Sequence, residues 1–136
     1  MFDMKAPVER PLSPHLSIYK PMLTMLMSIA HRITGAALYF GTLMLACWLL
    51  AAATGPDAYD GIGSFMNSFL GRLILFGYTW ALVHHMLGGI RYLIWDTGRG
   101  FGPVQREWLV VATVVGSITM TIIIWILGYL FAGGSR

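Results

Sequence analysis

Three long stretches of this chain carry no Asp, Glu, Lys or Arg: Ile33–Pro56, Leu73–Ile90 and Trp108–Ser135. Polar punctuation separates them, with Asp57 and Asp60 after the first and Arg91, Asp96, Arg99 and Arg106 after the second. A bilayer core of roughly 30 Å needs about 20 helical residues at about 1.5 Å each. Each stretch suffices once its flanks are included, which predicts helices at about 29–53, 67–95 and 107–131. In hydrocarbon the backbone must satisfy its own hydrogen bonds, so spans of this kind are helices, not open strands. The expected architecture is all-α, with three transmembrane helices inside a larger multi-helix bundle.

The first 28 residues break the pattern. Pro7, Pro11, Pro14 and Pro21 lie here among Lys5, Glu9, Arg10 and Lys20, too much proline for a regular helix. The segment is too polar for a signal peptide, and Asp3 and Glu9 argue against an acid-poor mitochondrial transit sequence. Leu12, Leu16, Ile18 and Tyr19 give it apolar anchors for a partner or a membrane surface. Residues 1–28 therefore read as a polar amino-terminal segment, 29–131 as the membrane domain and 132–136 as a short tail.

Composition agrees with a lipid environment. Of 136 residues, 57% are hydrophobic and 11% charged, against about 25% charged in a soluble domain. Disorder is excluded on the same ground. One cysteine, Cys47, rules out an internal disulfide framework or a cysteine-based metal site. The net charge of +3 has a topological explanation. Three spans put Lys5, Arg10, Lys20, Arg32, Arg91, Arg99 and Arg106 on one side, leaving Arg72 and Arg136 beside the acidic Asp57 and Asp60 on the other. Positive residues stay on the cytoplasmic side, so the amino terminus is expected inside and the carboxyl terminus outside. No nucleic-acid partner is expected, because the basic residues form no single patch.

Ionisable side chains inside a span are functional candidates, and the second span carries His84 and His85. At helical spacing, Tyr78, Ala81, His85, Gly89, Tyr92 and Asp96 form one stripe; Gly77, Trp80, His84, Gly88, Arg91 and Trp95 form its neighbour. A glycine one turn from a histidine leaves room for a flat macrocycle, and imidazole is an axial ligand of haem iron. The same glycines would also serve close helix packing, with the histidines hydrogen-bonded across helices. The first span opens with Ser28, His31, Arg32 and Gly35 within two turns. A hydroxyl, an imidazole and a guanidinium so placed can bind a carboxylate or donate to a carbonyl, although an arginine at a helix end also snorkels. Asp96 beside Trp95 fits a solvated interface residue, and His15 a surface or partner contact.

Taken together, Arg10-Pro11-Leu12-Ser13-Pro14-His15-Leu16-Ser17-Ile18-Tyr19, Ser28-Ile29-Ala30-His31-Arg32-Ile33-Thr34-Gly35, His85-x-x-x-Gly89-Ile90-Arg91 and Trp95-Asp96 resemble the cytochrome b subunits of succinate dehydrogenase, respiratory complex II. The resemblance runs from about residue 10 to 103. It implies that His85 is an axial ligand of one haem b, and that His31 and Arg32 meet the haem propionates. It further implies that Ser28 and Arg32 line a ubiquinone pocket. A second small membrane anchor subunit would bring the other axial histidine, and an iron–sulfur subunit and a flavoprotein subunit would dock on the inner side. Electrons would then pass from the iron–sulfur subunit to quinone, with Asp96 a candidate proton relay. The chain would oxidise no succinate alone and would sit in a bacterial inner membrane more readily than a mitochondrial one. The residue after Gly-Ile-Arg, commonly histidine in such chains, is Tyr92 here. His84 lies outside the motif.

Adjacent histidines project about 100° apart and cannot clasp one iron from both sides. If Arg32 and Arg91 both mark the inner interface, His85 lies about 9 Å deeper than Arg91, while His31 stays at the surface. His31 is then a poor second ligand, and a six-coordinate haem needs a histidine from another chain. Two other readings share the same architecture: a haem-free anchor or transport component, and a quinol:fumarate reductase anchor working in the opposite direction.

Overall fold

The computed structural model describes residues 18–133. His15, Lys5, Arg10 and the remainder of the first 17 residues lie outside the described residues, as does Arg136. The described chain is four helices: α1 (Leu23–Thr54), α2 (Pro56–Asn67), α3 (Phe69–Asp96) and α4 (Pro103–Gly133). Three of them, α1, α3 and α4, are long and apolar enough to cross a membrane.

The spans start and stop differently from the expectation. The first begins at Leu23, six residues early, because Pro21 is the last proline before the span and Leu23, Met25, Leu26 and Met27 are apolar helix formers. Residues 23–28 thus belong to the helix and not to the polar segment. The third begins at Pro103, where proline's fixed φ suits a first helical turn. Helix α2 is absent from the sequence reading, which left residues 54–66 as a connection. It starts at Pro56, after Gly55 at φ 140°, a conformation essentially confined to glycine, and stacks Tyr59 on Trp48 of α1 with ring centroids 6.4 Å apart. Ser68 joins it to α3: its hydroxyl donates to the Phe65 carbonyl (2.6 Å) and accepts from the Gly71 amide (3.1 Å), closing one helix and capping the next.

The three spans run antiparallel in sequence order. From α1 to α3, His31, Gly35 and Gly41 meet Gly88, His85 and Tyr78; from α3 to α4, Thr79, His84 and Leu87 meet Trp125, Ser117 and Gly116. Rings resting on glycines make the first seam. The Tyr78 ring occupies the place a side chain at Gly41 would take, the His85 ring lies 3.0 Å from that point at Gly35, and the His31 ring fills it at Gly88.

The interior is more polar than the exterior. Buried apolar residues are Ala51, Ala81, Val83 and Val110; buried polar ones are Thr34, His84, Arg91, Thr113, Ser117 and Thr121. Lipid offers no hydrophobic drive to bring helices together, so small and hydrogen-bonding residues make the contacts. The hydroxyls of Thr113, Ser117 and Thr121 each donate to a carbonyl of α4 itself, at 2.8, 2.9 and 2.7 Å, which satisfies them without a partner helix. Ile33, Phe40, Leu43, Leu93 and Phe131, by contrast, are more than 60% exposed.

Candidate functional site

The two histidines of α3 go to different neighbours. His84 is 2% exposed, stacked on Trp80 at 5.1 Å, with Nδ1 3.1 Å from the Ser117 hydroxyl of α4. Ser117 gives its own proton to the Val114 carbonyl, so it accepts from His84 Nδ1–H. The Nε2 atom of His84 is enclosed, with no hydrogen-bond partner among the described residues. His84 therefore binds α3 to α4 and presents nothing outward.

His85 turns to α1 and is half-buried. Its Nδ1 lies 3.1 Å from the carbonyl oxygen of His31 and 3.4 Å from the Thr34 hydroxyl. A carbonyl oxygen can only accept, so the proton sits on Nδ1 and the lone pair on Nε2. Metal-ligating histidines are oriented by this kind of backbone bond, which fixes the tautomer and the ring plane. One turn on, nothing lies within 4 Å of the point where a side chain at Gly89 would begin. The neighbouring stripe differs, since Gly88 is filled by His31.

His31 does not stay at the surface. Its ring stacks on that of His85 with centroids 3.9 Å apart and planes 16° from parallel. The expected difference in depth is absent because α1 starts at Leu23, so His31 is already in the third turn. Rings face to face at this separation cannot direct nitrogens at one metal from opposite sides. His31 thus remains a poor second ligand, but through orientation, not depth.

The predicted cluster on α1 divides. Ser28 is half-buried and His31 packs against α3, whereas Arg32, a further 100° or so around the helix, is exposed. Asp96 is the exposed last residue of α3. Arg91 turns its side chain into the bundle: it is 2% exposed, its guanidinium 5.3 Å from the Trp95 ring centroid and 5.5 Å from that of Tyr92. Its seven-residue spacing from His84 was the available signal, because it puts both on the buried face. Among the described residues no group of three or more His, Cys, Asp or Glu side chains is placed to hold a metal ion.

The family model of the succinate dehydrogenase/fumarate reductase transmembrane subunit matches residues 6–134. The chain belongs to this family. It is 39% identical over 122 residues to the succinate dehydrogenase cytochrome b556 subunit of Paracoccus denitrificans, covering 90% of this chain and 94% of the relative. It is 38% identical over 118 residues to the corresponding subunit of Rickettsia felis, covering 87% and 92%. The mitochondrial cytochrome b560 subunit of Mus musculus is 38% identical over 111 residues, 78% of this chain and 63% of that protein. As a transmembrane subunit of the succinate dehydrogenase/fumarate reductase family, the chain is one part of an oxidoreductase complex, in agreement with the resemblance carried by its motifs.

Proposed function

We propose that this family member is the cytochrome b anchor of a succinate:quinone oxidoreductase, holding one haem b through His85 and forming part of the ubiquinone-reduction site. The observation that carries the proposal is the His85 Nδ1–H bond to the His31 carbonyl, which leaves the Nε2 lone pair free, with open space one turn on at Gly89. These residues fit a haem: one imidazole with a fixed tautomer and a flat glycine surface along the same stripe. The names of its relatives as cytochrome b556 and b560 subunits support the same reading. When bound, the haem supplies a one-electron redox centre.

The remaining chemistry belongs to side chains of α1 and the end of α3. Ser28, half-buried near the start of α1, donates its hydroxyl proton in a hydrogen bond to a quinone carbonyl. Arg32, exposed one turn further, directs a guanidinium at the oxygen on which negative charge develops as quinone is reduced. Preorganised donors of this kind stabilise charge that builds in the transition state. Asp96, exposed at the end of α3, can take a proton from water and pass it toward the reduced quinone. The other axial histidine comes from a second anchor subunit, and electrons come from an iron–sulfur subunit served by a flavoprotein. The complex sits in a bacterial inner membrane with the amino terminus of this chain inside.

Two assays on the purified complex test the quinone site. Arg32→Leu and Ser28→Ala are expected to lower succinate–quinone activity about ten- to hundredfold, less than the loss from an enclosed donor because water reaches the interface. Succinate oxidation by a soluble artificial acceptor bypasses the membrane site and should be nearly unchanged. Equal losses in both assays would assign these residues to docking instead.

A further inference from the structure

The turn between α3 and α4 closes one end of a groove of about 800 Å³ that opens along the surface of the bundle. Ile94 of α3, Phe101 of the turn, and Trp108, Leu109 and Ala112 of α4 form its walls. Ligand pockets span about 300–1,000 Å³, so the groove has room for more than a side chain. Gly98 and Gly100, at φ 76° and 79°, fold the turn back on itself in a conformation that favours glycine. A side chain at Gly100 would begin 2.8 Å from Leu109 Cδ1, so bare backbone lies directly against the wall. Phe101 stacks on Trp95 with centroids 6.2 Å apart and stays 61% exposed; Trp108 is 69% exposed.

This groove is separate from the histidine site. Nine residues at about 100° each put Ile94 half a turn from His85 around α3. The two face opposite sides of the helix, and a group ligated at His85 does not reach the groove.

Its charge is one-sided. Arg99 is the only charged residue in the lining, which contains no acid. The exposed Arg99 stands at the turn, and the apolar walls run from there along α4. Gln105 adds an amide, its Oε1 3.3 Å from the point where a side chain at Gly102 would begin. A guanidinium pairs with phosphate oxygens through charge-assisted bonds, and the walls match a hydrocarbon chain. A water-soluble anion would leave the walls uncovered, and an uncharged lipid would leave Arg99 without a counter-charge. Basic pockets between transmembrane helices hold anionic headgroups, and tryptophan at the membrane–water boundary fixes their depth.

We infer that the α3–α4 groove holds one anionic phospholipid of the surrounding bilayer, its phosphate on Arg99 and an acyl chain against Phe101, Trp108, Leu109 and Ala112. The inference does not rest on the haem reading.

The test uses the whole purified complex in phosphatidylcholine bilayers that contain a photoreactive phospholipid with a diazirine on its acyl chain. Two probes share that chain and differ in headgroup, one phosphatidylglycerol and the other phosphatidylcholine, and labelled peptides are mapped by mass spectrometry. The phosphatidylglycerol probe is expected to label residues 94–112 about fivefold more than the other, the preference that one basic residue near an anionic headgroup provides. Arg99→Gln should abolish the preference, and Ala112→Trp, which fills the groove, should remove most of the label. Both positions are exposed, so neither change disturbs the packed seams. Excess unlabelled phosphatidylglycerol should compete the label away, and inorganic phosphate should not. Competition by phosphate would make this a site for a soluble anion and overturn the phospholipid. Equal labelling by the two probes, or a preference that survives Arg99→Gln, would overturn the inference, because the segment would then only face bulk lipid. So would the absence of label from residues 94–112 when other parts of the chain are labelled, which would mean that a partner subunit covers the groove.

Discussion

His85 donates its Nδ1 proton across the α1–α3 seam to the carbonyl oxygen of His31, 3.1 Å away. In an α-helix that carbonyl would ordinarily be committed to an amide four residues on; here it also accepts from an imidazole, and Thr34 donates to it at 3.0 Å. The approach depends on Gly35, since any side chain there would begin 3.0 Å from His85 Cε1. Ring plane, tautomer and the direction of Nε2 are thus set by the backbone of a neighbouring helix, before any ligand is considered.

The first expected outcome separates the two adjacent histidines. His85→Ala should abolish or convert a six-coordinate b-type visible spectrum, because it removes the Nε2 lone pair. His84→Ala should leave the spectrum largely intact, since its Nε2 is enclosed. Spectra of the two purified variants decide the matter, and the opposite pattern would reverse the assignment.

A second outcome concerns what His84 does instead. Ser117→Ala leaves the His84 Nδ1–H inside the bundle without its acceptor, a loss of about 1–3 kcal/mol. A double-mutant cycle with His84→Ala should return a coupling of roughly 0.6–1.7 kcal/mol, the usual size of an interhelical hydrogen bond in a membrane protein. Thermal or denaturant unfolding in detergent measures it, and zero coupling would reduce the pair to steric contact.

The legible and illegible parts of the chain divide along physical lines. Charge-free length and helical period revealed the three spans and the placement of His84 and His85 on adjacent stripes, because both follow from local spacing. Helix α2 was hidden because Asp57, Asp60, Gly61, Gly63 and Ser64 within twelve residues mimic a loop. The position of His31 was misjudged for a related reason. A basic residue near a span's end was taken as a depth marker, yet α1 extends past its charges to Leu23, and Arg91 turns inward to two aromatic rings. Which helix each histidine would meet depends on packing, and no periodicity within one helix encodes that.

Topology yields a third outcome. Seven of the nine basic residues fall in the amino-terminal region and near the α3–α4 connection, so both should face the cytoplasm. Reporter fusions after Arg99 and after Arg136 should then give opposite compartment signals. Identical signals would mean that α4, the one candidate span between the two fusion points, does not cross.

The last outcome uses two neighbouring glycines as a ruler for the surface beside His85. At Gly88 a methyl group would enter the His31 ring, so Gly88→Ala should destabilise the bundle by about 1–3 kcal/mol through overpacking. At Gly89 the same methyl meets nothing within 4 Å, so Gly89→Ala should stabilise the helix by up to about 1 kcal/mol through propensity alone. Gly89→Leu should likewise be accommodated by this chain, since its side chain starts in open space. A flat group ligated at His85 would nevertheless lie against that surface, and a leucine there would hold it away. Haem content per assembled complex should therefore fall sharply in Gly89→Leu while its unfolding midpoint stays near wild type. Full haem content in that variant would mean that the macrocycle does not rest on this stripe, and that Gly89 serves contact with a partner helix instead.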